Sequence, residues 1–479
     1  IEVLNRCSKV IDNASWSNYW EVLEDTELTD RGLLEARGEQ ILGFRGLKSM
    51  EFYAGLYLAR YFPLEDMDEL KQTISEEHWN WAWRFALEMK KEARKDSVLH
   101  RAVKLLFTPP ESALRPSELM YRAWPLLGES WIGPDPEFNW NVDESRPALK
   151  SGKEILKEFR NGSKRALDLM TFKQCPPNGW KHPLGHNPNE FFMGSANIYN
   201  SQWPRHCVRI STFEMQSTTV TIEQYRLYDQ RYSGEFKLDD RDSLDTYSMY
   251  PATYLNWHDA MVFAFWLGPG FTLPTDTQWE FACRSGNDGE RDLFSIFNKT
   301  NVESIQTNEV NFNPNWEFDD CRCSYHNNTL RFETVKVSGN EDCSKDDFTP
   351  NNFGLWHMHG NILEWCIDCY DQYRNLNFVI EQLIYKKLLK HSTISELNFT
   401  EKNELIKDLI NQKKLETEVF DSNVNTRLDE GRVVRGGSWD HIAEECCSTY
   451  NQSNDANDRH GSIGFRLCRI LVTPEPSSS

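Results

Sequence analysis

The sequence predicts an α+β chain: an all-α first part, then a loop-rich mixed part interrupted by a helical insertion. Three observations lead there. Apolar residues recur at helical spacing in 43–62 and 75–93. Near residue 171 the texture shifts to short strand-like runs rich in Trp, Asn and Gly. Between 371 and 431, "NFVIEQLIYKKLLKH" and "EKNELIKDLINQKKLE" carry amphipathic helix patterns.

Taken in order, residues 1–125 read as helical. Leu47, Met50, Tyr53, Ala54, Tyr57, Leu58 and Tyr61 share one face of the first pattern. In the second, Ser75 stands as an N-cap with acids in the first turn and lysines in the last, and Trp79, Trp83, Ala86 and Leu87 form a buried stripe. Residues 126–170 read as a linker or docking region that ends in a helix pattern, and 471–479 as a disordered tail. Within 171–470, Asn256 caps a helix whose Trp257, Ala260, Met261, Ala264 and Phe265 fall on one face. Thr275 caps another, with Trp279, Phe281 and Ala282 pointing inward. Gly360 and Asn361 allow a tight turn over Trp365.

Composition narrows the function. The 479 residues carry a net charge of −20 with no run of Lys and Arg, which argues against a nucleic-acid partner. No apolar stretch approaches a membrane span, and the opening "IEVLNRCSKV" lacks the apolar core of a signal peptide, so the chain is expected to begin inside a longer protein. Twelve cysteines, at no small-scaffold spacing, read as reduced thiols of a cytoplasmic protein. The chain has no G-x-x-x-x-G-K-[ST] phosphate loop, so 1–125 is expected to lack nucleotide affinity.

Two resemblances sharpen this. "ILGFRGLKSMEFYAGLYLARYF" followed by "WNWAWRFALEM" resembles the helical segment after the ATPase module of NACHT-type signalling NTPases, which implies an upstream NTPase motor in the full-length chain. Over 171–470, "FFMGS", "VRISTFEMQSTTVTIEQYRLYD", "YPATYLNWHDAMVFAFWLG", "FTLPTDTQWEFACRSG", "NNFGLWHMHGNILEWCIDCYD" and "RVVRGGSW…GFRLCR" follow in order. Together they resemble the formylglycine-generating-enzyme/sulfatase-modifying family, a variant of the C-type-lectin fold. That family crosses 371–431 with a short loop, so the helical pair reads as a solvated surface insertion.

The second resemblance implies chemistry that the residues only partly support. The family's enzymes bind copper through two cysteines soon after the Gly-Gly-Ser motif, since thiolates suit a soft metal. Here His441 holds the first position, and Cys446 and Cys447 follow. Related iron-dependent enzymes use a histidine triad, of which the helical half offers only His78 and His100, far apart. A copper- or iron-dependent oxidase is therefore the alternative reading. Oxygen ligands for calcium carry over to Gly360, Ile362 and Glu364, a site weakened by His357 where the family has Asp or Asn. Cys366 and Cys369 could join Cys321 and Cys323 around zinc, but core thiols are the preferred reading.

The last motif frames a long polar run. Arg435, Gly436, Gly437 and Trp439 at one end, and Gly464, Phe465 and Arg466 at the other, read as a rigid frame, with both arginines bracing backbone carbonyls and acids. Asp440, His441, Ile442, Tyr450, Asn451, Ser453, Asn454, Asp455, His460, Gly461 and Ser462 lie between and read as a ligand face. This arrangement resembles the variable proteins of diversity-generating retroelements. Asp440-His441-Ile442 and His460-Gly461-Ser462 are compatible with mutated Asn codons, whereas Glu445 and Gln452 are not. The expected function is a sensor module whose 439–463 loop binds a protein ligand, in defence or self-recognition.

Overall fold

The computed structural model describes residues 34–38 and 41–44, Tyr121, and most of 161–471; within that last span it leaves aside a few short stretches and 235–246, 287–293, 295–304, 314–322, 325–333, 338–347 and 423–430. The chain divides into two compact units, Ile1–Asn161 and Gly162–Ser479. In the first, β1 (Leu34–Gly38) and β2 (Ile41–Phe44) form an antiparallel hairpin with an irregularity between Ala36 and Gly38. This corrects the all-α expectation at 34–38 and 41–44, where the backbone pairs as strands, and residues 43 and 44 lie in a strand where the first helix was expected to begin. The remainder of the 43–62 pattern and all of 75–93 lie outside the described residues, as does 472–479.

The second unit is mixed α+β. Its strands are β3 (Phe172–Cys175), β4 (Glu190–Met193), β5 (His206–Arg209), β6 (Phe213–Gln216), β7 (Phe271–Thr272), β8 (Ile305–Gln306) and β9 (Cys323–Ser324). They continue with β10 (Leu363–Cys369), β11 (Val419–Asp421), β12 (Arg432–Arg435), β13 (Asn451–Asn454), β14 (Ile463–Gly464) and β15 (Cys468–Ile470). The helices are α1 (Ile222–Arg226), α2 (Trp257–Leu267), α3 (Asp276–Arg284), α4 (Arg374–Tyr385) and α5 (Phe399–Asn411). The helix pattern closing the linker region is present over 161–168. Small sheets run β13-β12-β10-β14, β3-β6-β15-β7 and β11-β5-β4, with β8 parallel to β9. No described helix is long and apolar enough to cross a membrane.

Capping chemistry starts the helices where the sequence says. Asn256 and Asp259 close a reciprocal capping box on α2, and Thr275 and Gln278 do so on α3. Trp279, Phe281 and Ala282 are buried as expected. α2 departs from the one-faced expectation, because every residue but Phe265 is buried. Its Trp257 donates from Nε1 to the Cys366 carbonyl (2.9 Å) while the Arg432 guanidinium lies 4.0 Å from the Trp257 ring centroid, so strand and loop cover the helix on several sides.

The 371–431 segment also departs from expectation. It is not a solvated hairpin on the surface. Leu376, Phe378, Val379, Ile380 and Leu383 of α4, Ile406 of α5, and Ile394, Leu415 and Phe420 join the same core as Trp279, Phe281, Met215 and Val433. β11 pairs in parallel with β5, Val419 opposite Cys207, and so completes a sheet. The apolar faces of α4 and α5 found a core to enter, and burial of that area outweighs hydration of the segment.

His206 sits in this seam. Its ring lies 5.4 Å from the Phe378 ring and 6.2 Å from the Phe420 ring, with Nδ1 2.8 Å from the Pro204 carbonyl. Burial lowers its pKa to about 4. Its ordinary value is about 6.5, so between those values the unfolded chain binds the proton and the folded chain does not. Stability is therefore full above pH 6.5 and falls as pH drops toward 4. Urea unfolding is expected to lose about 2 kcal/mol through His206 between pH 7 and pH 5. His206→Asn is expected to flatten that slope; an unchanged slope would remove His206 as its source.

Candidate functional site

The frame of the polar run is built from buried ion pairs. Arg435 and Arg466 are both 0 % exposed. Arg435 donates from Nε to Asp276 (2.5 Å) and from Nη2 to Glu280 (3.0 Å), both on α3. Its Nη1 donates to the carbonyls of Ser448 (3.1 Å) and Tyr450 (3.2 Å), and so grips the polar run itself. Burial pushes the Asp276 carboxyl up, but Arg435 and Arg374 outweigh it and leave the pKa lowered. Arg466 forks onto Glu364 (2.6 and 2.7 Å), and its remaining donors reach the carbonyls of Gln216, Ser217 and Trp356. The expected bracing by the two arginines is what the geometry contains.

Gly437 shows why the frame turns where it does. Its φ is +66°, and an added Cβ would lie 2.5 Å from Cys446 Sγ and 2.8 Å from the Glu445 carbonyl. Only glycine fits both the left-handed backbone and the close approach. Beyond it, Trp439 donates its backbone N–H to the Asn361 carbonyl (3.0 Å). At the far end Phe465 is fully buried, its ring 5.7 Å from Phe263.

The residues between the ends divide into three groups. Asp440, Ser453, Asp455 and His460 are exposed; His441, Ile442, Tyr450 and Asn454 are half-buried. Gly461 and Ser462 are buried, which corrects their assignment to the face: the Ser462 carbonyl accepts from Leu363, its amide donates to His460 Nδ1, and both residues belong to the floor. Asn451 also turns inward. It pairs with Arg435 across the strands, so strand alternation aims it at the buried side, where Gln202 Nε2 reaches its Oδ1 at 3.4 Å.

The two residues set aside on codon grounds stand at the centre of the face. The Tyr450 hydroxyl lies 3.1 Å from Glu445 Oε1 and 3.2 Å from Gln452 Oε1, and Gln452 Nε2 donates to Asn454 (3.4 Å). Burial, then Glu445, pushes the Tyr450 phenol well up. His441 Nδ1 lies 2.6 Å from Ser438 Oγ, and burial lowers its pKa against the pull of Glu445 and Asp440. Period-2 alternation through Tyr450, Gln452 and Asn454 was the available signal for this cluster.

The metal expectations fail on the donors. Both Glu364 oxygens are held by Arg466, and Oε2 also accepts from Trp279 Nε1 (2.8 Å). Glu364 is thus a bracing acid, and with its carboxylate engaged the Gly360, Ile362 and Glu364 set does not fit calcium. Cys446 is 0 % exposed and burial raises its thiol well above the ordinary range, while His441 stands where the other copper thiolate would be needed. Cys366 and Cys369 are buried, with Arg432 Nη1 3.0 Å from the Cys369 sulfur; Cys321 lies outside the described residues. Among the described residues, no group of three or more His, Cys, Asp or Glu is arranged to hold a metal ion, and the eight cysteines whose side chains are described are free thiols.

Comparison with known proteins places this architecture. The formylglycine-generating enzyme of Streptomyces coelicolor is 30% identical over 122 residues, covering 25% of this chain and 32% of that protein. The serine/threonine-protein kinase pkn1 of Chlamydia pneumoniae is 26% identical over 200 residues, 38% of this chain and 26% of that one. The matching segments thus span a third or less of these curated relatives. Among solved structures, Treponema denticola variable protein 1 aligns over 63% of this chain and 95% of its own at 18% identity, with a TM-score of 0.40. The sulfatase-modifying factor enzyme 1-like domain model matches residues 187–471, more than half of the chain, and the protein belongs to that family.

Proposed function

We propose that the face built on 438–460 binds a protein ligand and that the chain is the ligand-binding, sensor module of a NACHT-type signalling protein. One observation carries the reading. Chemically mixed side chains stand on a frame whose two arginines are wholly buried and engaged, so the exposed residues can differ without disturbing the core. In this reading the 439–463 loop is the segment that varies, as in diversity-generating-retroelement variable proteins, and the protein acts in the cytoplasm in defence or self-recognition. Family membership alone does not decide activity, since one fold hosts many functions.

The alternative is an oxidase of the formylglycine-generating type, favoured by the name of the Streptomyces relative. One set of measurements separates the two. The full chain carrying Asp440→Ser, His441→Ser, Tyr450→Ala, Ser453→Ala, Asn454→Ala and His460→Ser is expected to unfold cooperatively within about 3 kcal/mol of the parent, because changes at exposed positions usually cost about 0.5 kcal/mol or less each and most of the loss falls on Tyr450, which packs against a small core cluster. Cross-linking in extracts of the source cells is expected to trap a protein partner on the parent and not on the variant. Tyr450→Ala alone is expected to weaken that partner, once purified, by about 2 kcal/mol, or roughly thirtyfold. Collapse of the multiple variant would make these residues core. Copper-dependent aldehyde formation on a cysteine-containing sulfatase-type peptide, abolished by Cys446→Ser, would establish the oxidase instead.

A further inference from the structure

We propose that Arg374 and Asn375, the first two residues of α4, are positioning residues for 448–454, so that the 371–431 segment sets the geometry of the ligand face. This rests on the binding reading of that face. Two separate relays lead from α4 to the polar run, one ionic and one through amides.

The ionic relay starts at Arg374. Its guanidinium meets Asp368 (2.8 Å) and Asp276 (3.4 Å), with the side chain 11% exposed. Asp276 is the same acid that holds Arg435 Nε, and Arg435 Nη1 carries the carbonyls of Ser448 and Tyr450. Nearby, Glu280 is shared between Arg435 and Arg284. Three arginines thus balance three acids in one buried network. Without Arg374, Asp368 and Asp276 compete for Arg435 at low dielectric, and the fork that grips the loop is drawn off its carbonyls.

The second relay starts at Asn375. Its Nδ2 donates to the Gln202 carbonyl (2.6 Å), and Gln202 Nε2 reaches Asn451 Oδ1. Asn451 is also the residue opposite Arg435 in the β12–β13 pairing, so both relays arrive at the start of β13. The packing leaves no slack: an added Cβ on Gly194 would lie 2.3 Å from the Gln202 carbonyl oxygen and 2.7 Å from Asn375 Nδ2. Successive residues of the helix thereby hold successive residues of the loop, Tyr450 and Asn451, at the start of edge strand β13. Among the described residues that strand pairs on one side only, with β12.

The test reads the loop without any ligand, so its failure is separable from failure of the binding reading. Hydrogen exchange is followed by mass spectrometry on the full chain carrying Asn375→Ala, Arg374→Lys, or the control Tyr385→Ala at the exposed far end of α4. Asn375→Ala and Arg374→Lys are expected to speed exchange in 448–454 at least tenfold while β10 and α2 stay protected. Tyr385→Ala is expected to change neither. Arg374→Lys keeps the charge, and so the fold, while losing the two-pronged contact. Unchanged exchange in 448–454, or an equal rise across the whole domain, would overturn the proposal. A double-mutant cycle between Asn375→Ala and Asn451→Ala is expected to be non-additive; additivity would likewise overturn it.

Discussion

Arg466→Ala is expected to cost about 3–5 kcal/mol of unfolding free energy, because it leaves Glu364 charged, buried and without its partner. Both groups are 0% exposed and joined by two short hydrogen bonds. The loss is compounded at the carbonyls of Gln216, Ser217 and Trp356, which the same guanidinium serves. Urea denaturation measures it. The double variant Arg466→Met with Glu364→Leu is expected to recover part of the loss, since an apolar pair removes the stranded charge but not the unserved carbonyls. A single variant within about 1 kcal/mol of the parent would mean that the pair is not a brace.

Replacing 374–421 by a short Gly-Ser linker is expected to abolish cooperative folding of the second unit. Nine core side chains leave with it: Leu376, Phe378, Val379, Ile380, Leu383, Ile394, Ile406, Leu415 and Phe420. At about 1.5–3 kcal/mol for each buried side chain, their burial matches or exceeds the roughly 5–15 kcal/mol that holds a domain together. The strand β11 disappears as well and exposes the backbone of β5. The expected product binds the dye ANS and melts without a cooperative transition, as loosely packed states do. A soluble variant with a sharp transition would return the segment to the status of a surface insertion.

The contrast between these two sites shows what was legible. Local chemistry was enough for the helix starts at Asn256 and Thr275, because a cap and its partner three residues on are neighbours in sequence. It was also enough for the rigid ends of the polar run. Arg435 beside Gly436-Gly437, and Arg466 two residues after Gly464, were legible as braces, and both serve that use.

Long-range pairing was not legible, and tertiary structure alone decided it. The amphipathic pattern of 374–411 specified an apolar face but not what that face would meet; the fold turned it into the core. Glu364 read as an oxygen ligand until Arg466, 102 residues away, was seen to occupy it. Asn451 read as part of the face until its pairing with Arg435 turned it inward, while Gln452 and Glu445 proved to surround Tyr450. A sequence states which side chains can pair and at what local period. Which acid a buried arginine takes, and which side of an edge strand faces outward, depends on strand register and on the low dielectric of an interior that only the assembled fold creates.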